Sequence, residues 1–600
     1  MKRRSFLIAG LTLPLAPTFA RALGEEIVTC RIHPAIGIAR IGTSGTKHFL
    51  GPEVPFAVPS PEGGFRDSEG RLARQAVRFR VYGYDAAGRV VRELTADDAE
   101  IRWRVDVANT KAAWYDFHLP LDLPEARRTG KPISRRNPEL VGEARASLAI
   151  RPGAKEIRGA SQRTPLDGGR FADRDVSLGE LRTDDRGRLI VLGGLGASHP
   201  IGAARPLRDG INNDGWHDDT SDGSVDATVR LGGRAIPVIG AWVVVGPPAF
   251  APGIGAAVTL YDRLRETFGG ALASRPSFAR DVHPIVARLA RHPWVNAGFE
   301  QQFGVTGAIP LGDPAFVASL SDASPAARAT RRRLFTTFRN PSSRVRAPFA
   351  VPSYYGDHDV GAHEHMSLLP HQYRALSRWA EGRFVADHDA DGPSLPSELD
   401  ALPLAERPLA LDRAQLDAAS GGPFHPGIET GFAIRVRALY DEPFRLRRRA
   451  LAEVDHGAFL ATRGLSAPGG VFDGVAPGDL TRWLGVPWQM DTYDCRFGYD
   501  PVESSYLPSF WPAFVPNQVV SPATYAALQT TTTRAEALAL LEHRHRVRWL
   551  RGFEAYDDEE RLRFVEQWSG LGLVLRAPGP ASLGQDVFVE TSRTLPEPAR

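Results

Sequence analysis

The sequence predicts an α+β protein, with a large β-rich and loop-rich N-terminal half and a more helical C-terminal half. Two observations predict this. Apolar and polar residues alternate with period two through much of the first 250 positions, while capping signals followed by apolar residues at helical spacing gather toward the end. A chain of 600 residues with 42% hydrophobic and 24% charged side chains has an ordinary globular composition, and its length calls for more than one packed substructure. The division expected is residues 23–250, β-rich, and residues 251–600, mixed and carrying the site.

Residues 1–22 read as an export signal. Lys2, Arg3 and Arg4 precede an apolar segment from Phe6 to about Leu15, and Ala20-Arg21-Ala22 supplies an A-x-A cleavage site. The Arg3-Arg4 pair followed by Ser5, Phe6 and Leu7 resembles the twin-arginine class, which exports folded proteins, with an ordinary secretory signal as the alternative. The expected location is therefore periplasmic or secreted. Removing this segment takes the formal charge from +3 to −1, which leaves no global basic character for nucleic acid. After residue 25 no apolar run approaches the roughly 18 residues that span a bilayer, so no membrane segment is expected in the mature form.

Val77, Phe79 and Val81 alternate with Arg78 and Arg80, the turn sequence DAAG follows, and Val90-Val91 resumes, which together predict a hairpin. Ile101, Trp103, Val105 and Val107 repeat the alternation, and AWVVVGPP reads as a buried strand. Farther on, Thr533 with Glu536 forms a capping box, and Leu538, Leu541, His545 and Trp549 follow at helical spacing. A second helix is expected from Asp557 to about Trp568, acidic at its start and ended by Gly570, with Phe564, Val565 and Trp568 on one face.

Several short motifs bear on chemistry. In the acid-rich stretch 209–226, Asp218, Thr220, Asp222 and Gly223 imitate the start of a calcium loop, but Val229 stands where its bidentate glutamate belongs, which leaves a noncanonical ion site or a solvated turn. His363 and His365 have a metal-chelating spacing without an evident third ligand and read as surface histidines. Gly193 to Gly196, GGLG, reads as a turn. Walker, G-x-S-x-G and H-E-x-x-H motifs are absent, so no metal is expected and the common hydrolase and nucleotide readings weaken.

Cysteine occurs only at Cys30 and Cys495. A disulfide between them is one reading, and a thiol kept for chemistry is the other. Cys495 closes the stretch PWQMDTYDC, four residues after Asp491. Several separated stretches, RIHPAIGIARIG, NDGWHDDTSDGSVDATV, AWVVVGPPAFAPGIGAAVTLYD, FHPGIET, PWQMDTYDC and WSGLGLVLR, together resemble the quinoprotein amino-acid oxidases that include lysine ε-oxidase and glycine oxidase. The likeness runs from about Cys30 to the C-terminal end.

That resemblance implies a protein-derived cofactor, cysteine tryptophylquinone, in which the cysteine four residues after a catalytic aspartate is joined to a doubly oxygenated tryptophan. Here the cysteine is Cys495 and the aspartate Asp491, with Trp568 the favoured tryptophan and Trp511 and Trp549 as alternatives. It further implies oxidative deamination of a primary amine or amino acid with dioxygen, releasing ammonia and hydrogen peroxide, and a flavoprotein maturation partner. A homo-oligomer is compatible with it. The chemistry accounts for the residue types: a quinone carbonyl is electrophilic toward an amine, and a positioned carboxylate removes the proton from the carbon bearing the nitrogen. The second function class is an exported β-rich binding or structural protein on the same scaffold without a quinone.

Overall fold

The computed structural model describes residues 26–117, 132–202, 205–305, 307, 309–343, 345, 347, 350–352, 366–388, 398–422, 432–450, 453–494 and 514–596. The export signal, His363, His365, Cys495 and Trp511 lie outside the described residues.

The N-terminal half is built on a 14-stranded sheet. Its main path runs Lys155–Arg158, Glu100–Ala108, Ser221–Leu231, Ala241–Gly246, Ile36–Arg40, Arg74–Tyr84, Leu189–Leu192, Glu180–Thr183, Arg163–Pro165. The two ends of that path are consecutive strands that lie near each other, so the sheet curls toward closure. The helices fall mainly in the C-terminal half, as the α+β prediction requires.

The predicted hairpin is present: Arg74–Tyr84 pairs antiparallel with Val90–Leu94, and the Asp85 carboxylate accepts the Ala87 and Arg89 amides to close the turn. Arg78 and Arg80, alternating with the buried Val77, Phe79 and Val81, share the Glu53 carboxylate. Ala241–Gly246 is buried at every position and runs parallel to the equally buried Ile36–Arg40, so both read as continuous apolar runs rather than alternating ones. Cys30 sits in the neighbouring strand Thr29–His33 as a fully buried free thiol.

Both late helices form, one of them shorter than its sequence pattern. Thr533 caps Arg534–Leu541 through a reciprocal box with Glu536. The helix then stops, although the apolar spacing continues to His545 and Trp549. Strand pairing overrides the propensity there: Val547–Arg548 pairs with Gln518–Val519, and the Trp549 amide donates to the Asn517 carbonyl. Asp557 caps Asp558–Gln567, and Trp568–Gly570 adds a final tight turn, with Phe564, Val565 and Trp568 buried as expected.

The acid-rich stretch departs from both readings made of it. Asp218, Asp219 and Asp222 are buried and bonded to protein donors, so they are neither an ion site nor a solvated turn. Among the described residues no group of three or more His, Cys, Asp or Glu side chains is placed to hold a metal.

Candidate active site

The stretch PWQMDTYD folds as a seven-residue helix, Trp488–Asp494, that is buried from Trp488 through Tyr493. So short a helix has little stability of its own, and its position is set by tertiary partners. At its start the Trp488 amide donates to Asp218 Oδ2 at 2.9 Å. The same oxygen receives the Lys111 ammonium at 2.7 Å, and that ammonium also donates to the Gly485 carbonyl at 2.9 Å. Asp218 Oδ1 is occupied by Asn109, the Thr220 amide and the Thr220 hydroxyl. Neither Lys111 nor Asp218 exposes any side-chain surface. Burial pulls the Lys111 ammonium below its usual range, Asp218 and Asp491 push it back up, and Arg136 opposes them.

On the far face Tyr493 stacks on Tyr556, packs against Phe564 and donates to the Ala555 carbonyl. Tyr556 donates in turn to Asp494. These contacts bring the helix against Asp558–Gln567 and the turn that carries Trp568.

Trp568 lies edge-on to Trp488, with ring centroids 4.9 Å apart and planes at 75°. Its benzenoid ring meets the backbone of Gly196. A Cβ at position 196 would fall 2.2 Å from Cζ2 and 3.1 Å from Cη2, and the φ of +79° independently favours glycine. The Gly194–Ala197 loop is fixed from behind by Asp219 Oδ2, which accepts the Gly196 and Ala197 amides at 2.8 and 3.0 Å. Burial raises the Asp219 carboxyl to about 7. Ser198 donates to Gln489, which ties the following residues to the short helix as well. A cavity of about 340 Å³ opens behind the loop, and Asp219, His199, His217, Arg74 and Glu180 are among the residues that line it.

The structure thus brings two of the three predicted site residues to one place: Asp491 is buried on the short helix, and Trp568 packs on that helix through Trp488. Trp549 is occupied as a core side chain, its indole N–H donating to the Gly572 carbonyl at 2.8 Å and its ring packed on Phe250. The sequence reading gave Lys111 no role, placed Asp218 in a noncanonical ion site or a solvated turn, and read Gly196 as a turn glycine.

Residues 33–245 match the N-terminal domain of L-lysine ε-oxidase, and residues 352–511 match the C-terminal domain of that enzyme, together more than half of the chain. The chain belongs to the L-lysine ε-oxidase family. An L-lysine 6-oxidase from Marinomonas mediterranea is 26% identical over 77% of this chain and 70% of its own length. The crystal structure of L-Lys ε-oxidase from the same organism superposes with a TM-score of 0.69 at 23% identity, covering 94% of this chain and 95% of that one. Its Schiff base intermediate with L-Lys superposes with a TM-score of 0.67 and the same coverage. At that identity the superpositions speak for the α+β fold. Membership of the L-lysine ε-oxidase family makes the chain an oxidoreductase of the oxidase class. Asp491 and Cys495 fall inside the matched C-terminal domain, whereas Trp568 lies beyond it and is placed by its packing.

Proposed function

We propose that the chain is a quinoprotein oxidase that oxidatively deaminates a primary amine of an amino acid with dioxygen, releasing ammonia and hydrogen peroxide. The observation that carries this reading is the packing of Trp568 between Gly196 and Trp488, on the helix that bears Asp491. An ortho-quinone needs two adjacent benzenoid carbons, and Cζ2–Cη2 is the pair whose surroundings a side chain at position 196 would fill. The residues present therefore fit a quinone on Trp568, joined to Cys495, the residue that follows Asp494 in sequence.

When present, the group supplies an electrophilic carbonyl and a sink for two electrons. The protein's own contribution is positional and electrostatic. Asp491 takes the proton from the substrate carbon that bears the nitrogen, onto its carboxylate oxygen. Trp488 and the Gly194–Ala197 loop cover the indole of Trp568 and keep water from it.

L-Lysine is the substrate named for the relative and is the first amine to assay, with glycine as the contrasting α-amine. Export through the twin-arginine route to the periplasm, and maturation by a flavoprotein, belong to the same proposal, because a quinone built inside the cell requires folding before export.

Intact mass and a redox-cycling quinone stain on protein coexpressed with its flavoprotein test the reading. The expected result is a gain of two oxygens with loss of hydrogens and one peptide joining Cys495 to Trp568. A freely alkylatable Cys495 in mature protein would instead favour the binding-protein alternative, and a crosslink to Trp511 would move the site.

A further inference from the structure

Lys111 has no role in the chemistry just described, yet it is a fully buried cation placed against the segment that carries the proposed base. It follows the strand Glu100–Ala108, which shares nine consecutive register pairs with Ser221–Leu231, so the ammonium comes from the end of a long, continuously paired strand. It meets two acceptors, Asp218 Oδ2 at 2.7 Å and the Gly485 carbonyl at 2.9 Å. Gly485 in turn faces the base: a Cβ built there would lie 3.4 Å from the Cβ of Asp491. Lys111, Gly485 and Asp491 are consecutive layers of one packed column.

We propose that Lys111 is a positioning residue for the oxidase reaction, fixing the Gly485–Trp488 turn directly and through Asp218, so that the Asp491 carboxylate is held in place for the substrate proton. The inference rests on the reading of Asp491 as the base.

The surroundings favour this division of labour. Asp218 neutralises Lys111 at contact distance and also accepts the Trp488 amide, so the pair acts as a rigid clamp and not as a free charge. Arg136 stands beyond it, donating to the Leu484 and Arg482 carbonyls, with Asp116, Asp209 and Asp214 acting on its charge. Toward the C-terminal helix, Asp494 ends the short helix and accepts from Tyr556, and Arg561 of the C-terminal helix packs over the Tyr556 ring. Lys111 is the buried cation of this column, and its electrostatic partners include Asp491 itself.

The test uses the mature enzyme and L-lysine. Lys111→Met removes the charge at similar length, and the double variant Lys111→Met with Asp218→Asn removes both members of the pair while the side-chain carbonyl introduced at position 218 can still accept the Trp488 amide. The double variant guards against a folding failure caused by a lone buried carboxylate. Two quantities are read: quinone content per chain, and the split between kcat and KM for L-lysine. With quinone content kept, kcat should fall at least about tenfold in both variants with KM little changed, and Lys111→Arg should restore part of it. Parental kcat in a folded double variant, or a fall in kcat no greater than the fall in quinone content, overturns the role of Lys111. Full quinone with undiminished turnover in Asp491→Asn overturns the base itself, and the two failures are thereby distinguished.

Discussion

Replacing Gly196 by alanine should separate the Trp568 site from ordinary loop structure. Two costs arise at this position. A non-glycine residue at φ +79° costs about 1–2 kcal/mol. The added methyl would also sit 2.2 Å from Cζ2 of Trp568, far inside contact distance, and relieving such an overlap in a packed interior costs about 1–3 kcal/mol more. Retreat of the loop is resisted, because it would break the bonds from the Gly196 and Ala197 amides to Asp219. The ring must then tilt on Trp488, which moves the benzenoid edge where the quinone is proposed. A control isolates the backbone term: Gly233 has φ +82° and nothing within 4 Å of its added Cβ, so Gly233→Ala carries the strain without the overlap. The assay is thermal unfolding together with quinone content per chain after coexpression with the flavoprotein. Gly196→Ala should unfold at a lower temperature than Gly233→Ala and carry several-fold less quinone, while Gly233→Ala keeps the parental quinone content. Equal stability and equal quinone in the two variants would refute the reasoning and detach Gly196 from the site.

Asp219, raised by burial to about 7, gives the fold a pH dependence of predictable sign. Its folded-state affinity for the proton exceeds that of an unfolded aspartate near 3.9, so between about pH 4 and pH 7 the folded chain holds more proton and stability falls as pH rises. The stability of the parent relative to Asp219→Asn should decline across that window and level off above it, as read by thermal unfolding from pH 4 to 8; a constant difference would contradict the assignment. For export, changing Arg3 and Arg4 to lysine keeps the charge of the signal, and periplasmic delivery should be lost if the twin-arginine machinery reads it, whereas undiminished delivery points to the general secretory route.

The parts of the fold legible in the sequence were those whose signals are local. The hairpin around DAAG announces itself through Val77, Phe79 and Val81 alternating with arginines, and both C-terminal helices through caps at Thr533 and Asp557. The first of those helices was overread past Leu541, because apolar spacing at His545 and Trp549 cannot reveal that Val547–Arg548 is claimed by a partner strand. Of the proposed site, the sequence names the chemical residues but not the supports that the structure places around them. Asp491 and Cys495 stand out through rarity and resemblance, while Lys111 and Asp218 meet across 107 positions of chain and leave no periodic trace. Gly196 looked like any turn glycine, because the ring that requires it lies more than 370 positions away.

The acid-rich segment shows why its local reading failed and what the fold gains from it. Carboxylates are usually left in water, so a run with Asp218, Asp219 and Asp222 suggests solvent or a cation. Here the segment leads into the long strand Ser221–Leu231, and its three buried carboxylates each fasten a different piece of chain. Asp222, pushed by burial to about 6, accepts the Leu480 and Thr481 amides, the Thr481 hydroxyl and the Trp242 indole. Asp218 takes the start of the Asp491 helix, and Asp219 takes the loop against Trp568. Charges buried in this way are weak sources of net stability, yet removing one partner typically costs about 3–5 kcal/mol, which makes the arrangement intolerant of alternatives. A seven-residue helix cannot fix a base against a tryptophan from a distant turn by its own propensity. The sheet supplies that precision, and the proposed active site is accordingly assembled at the seam where the β-rich half grips the helical one.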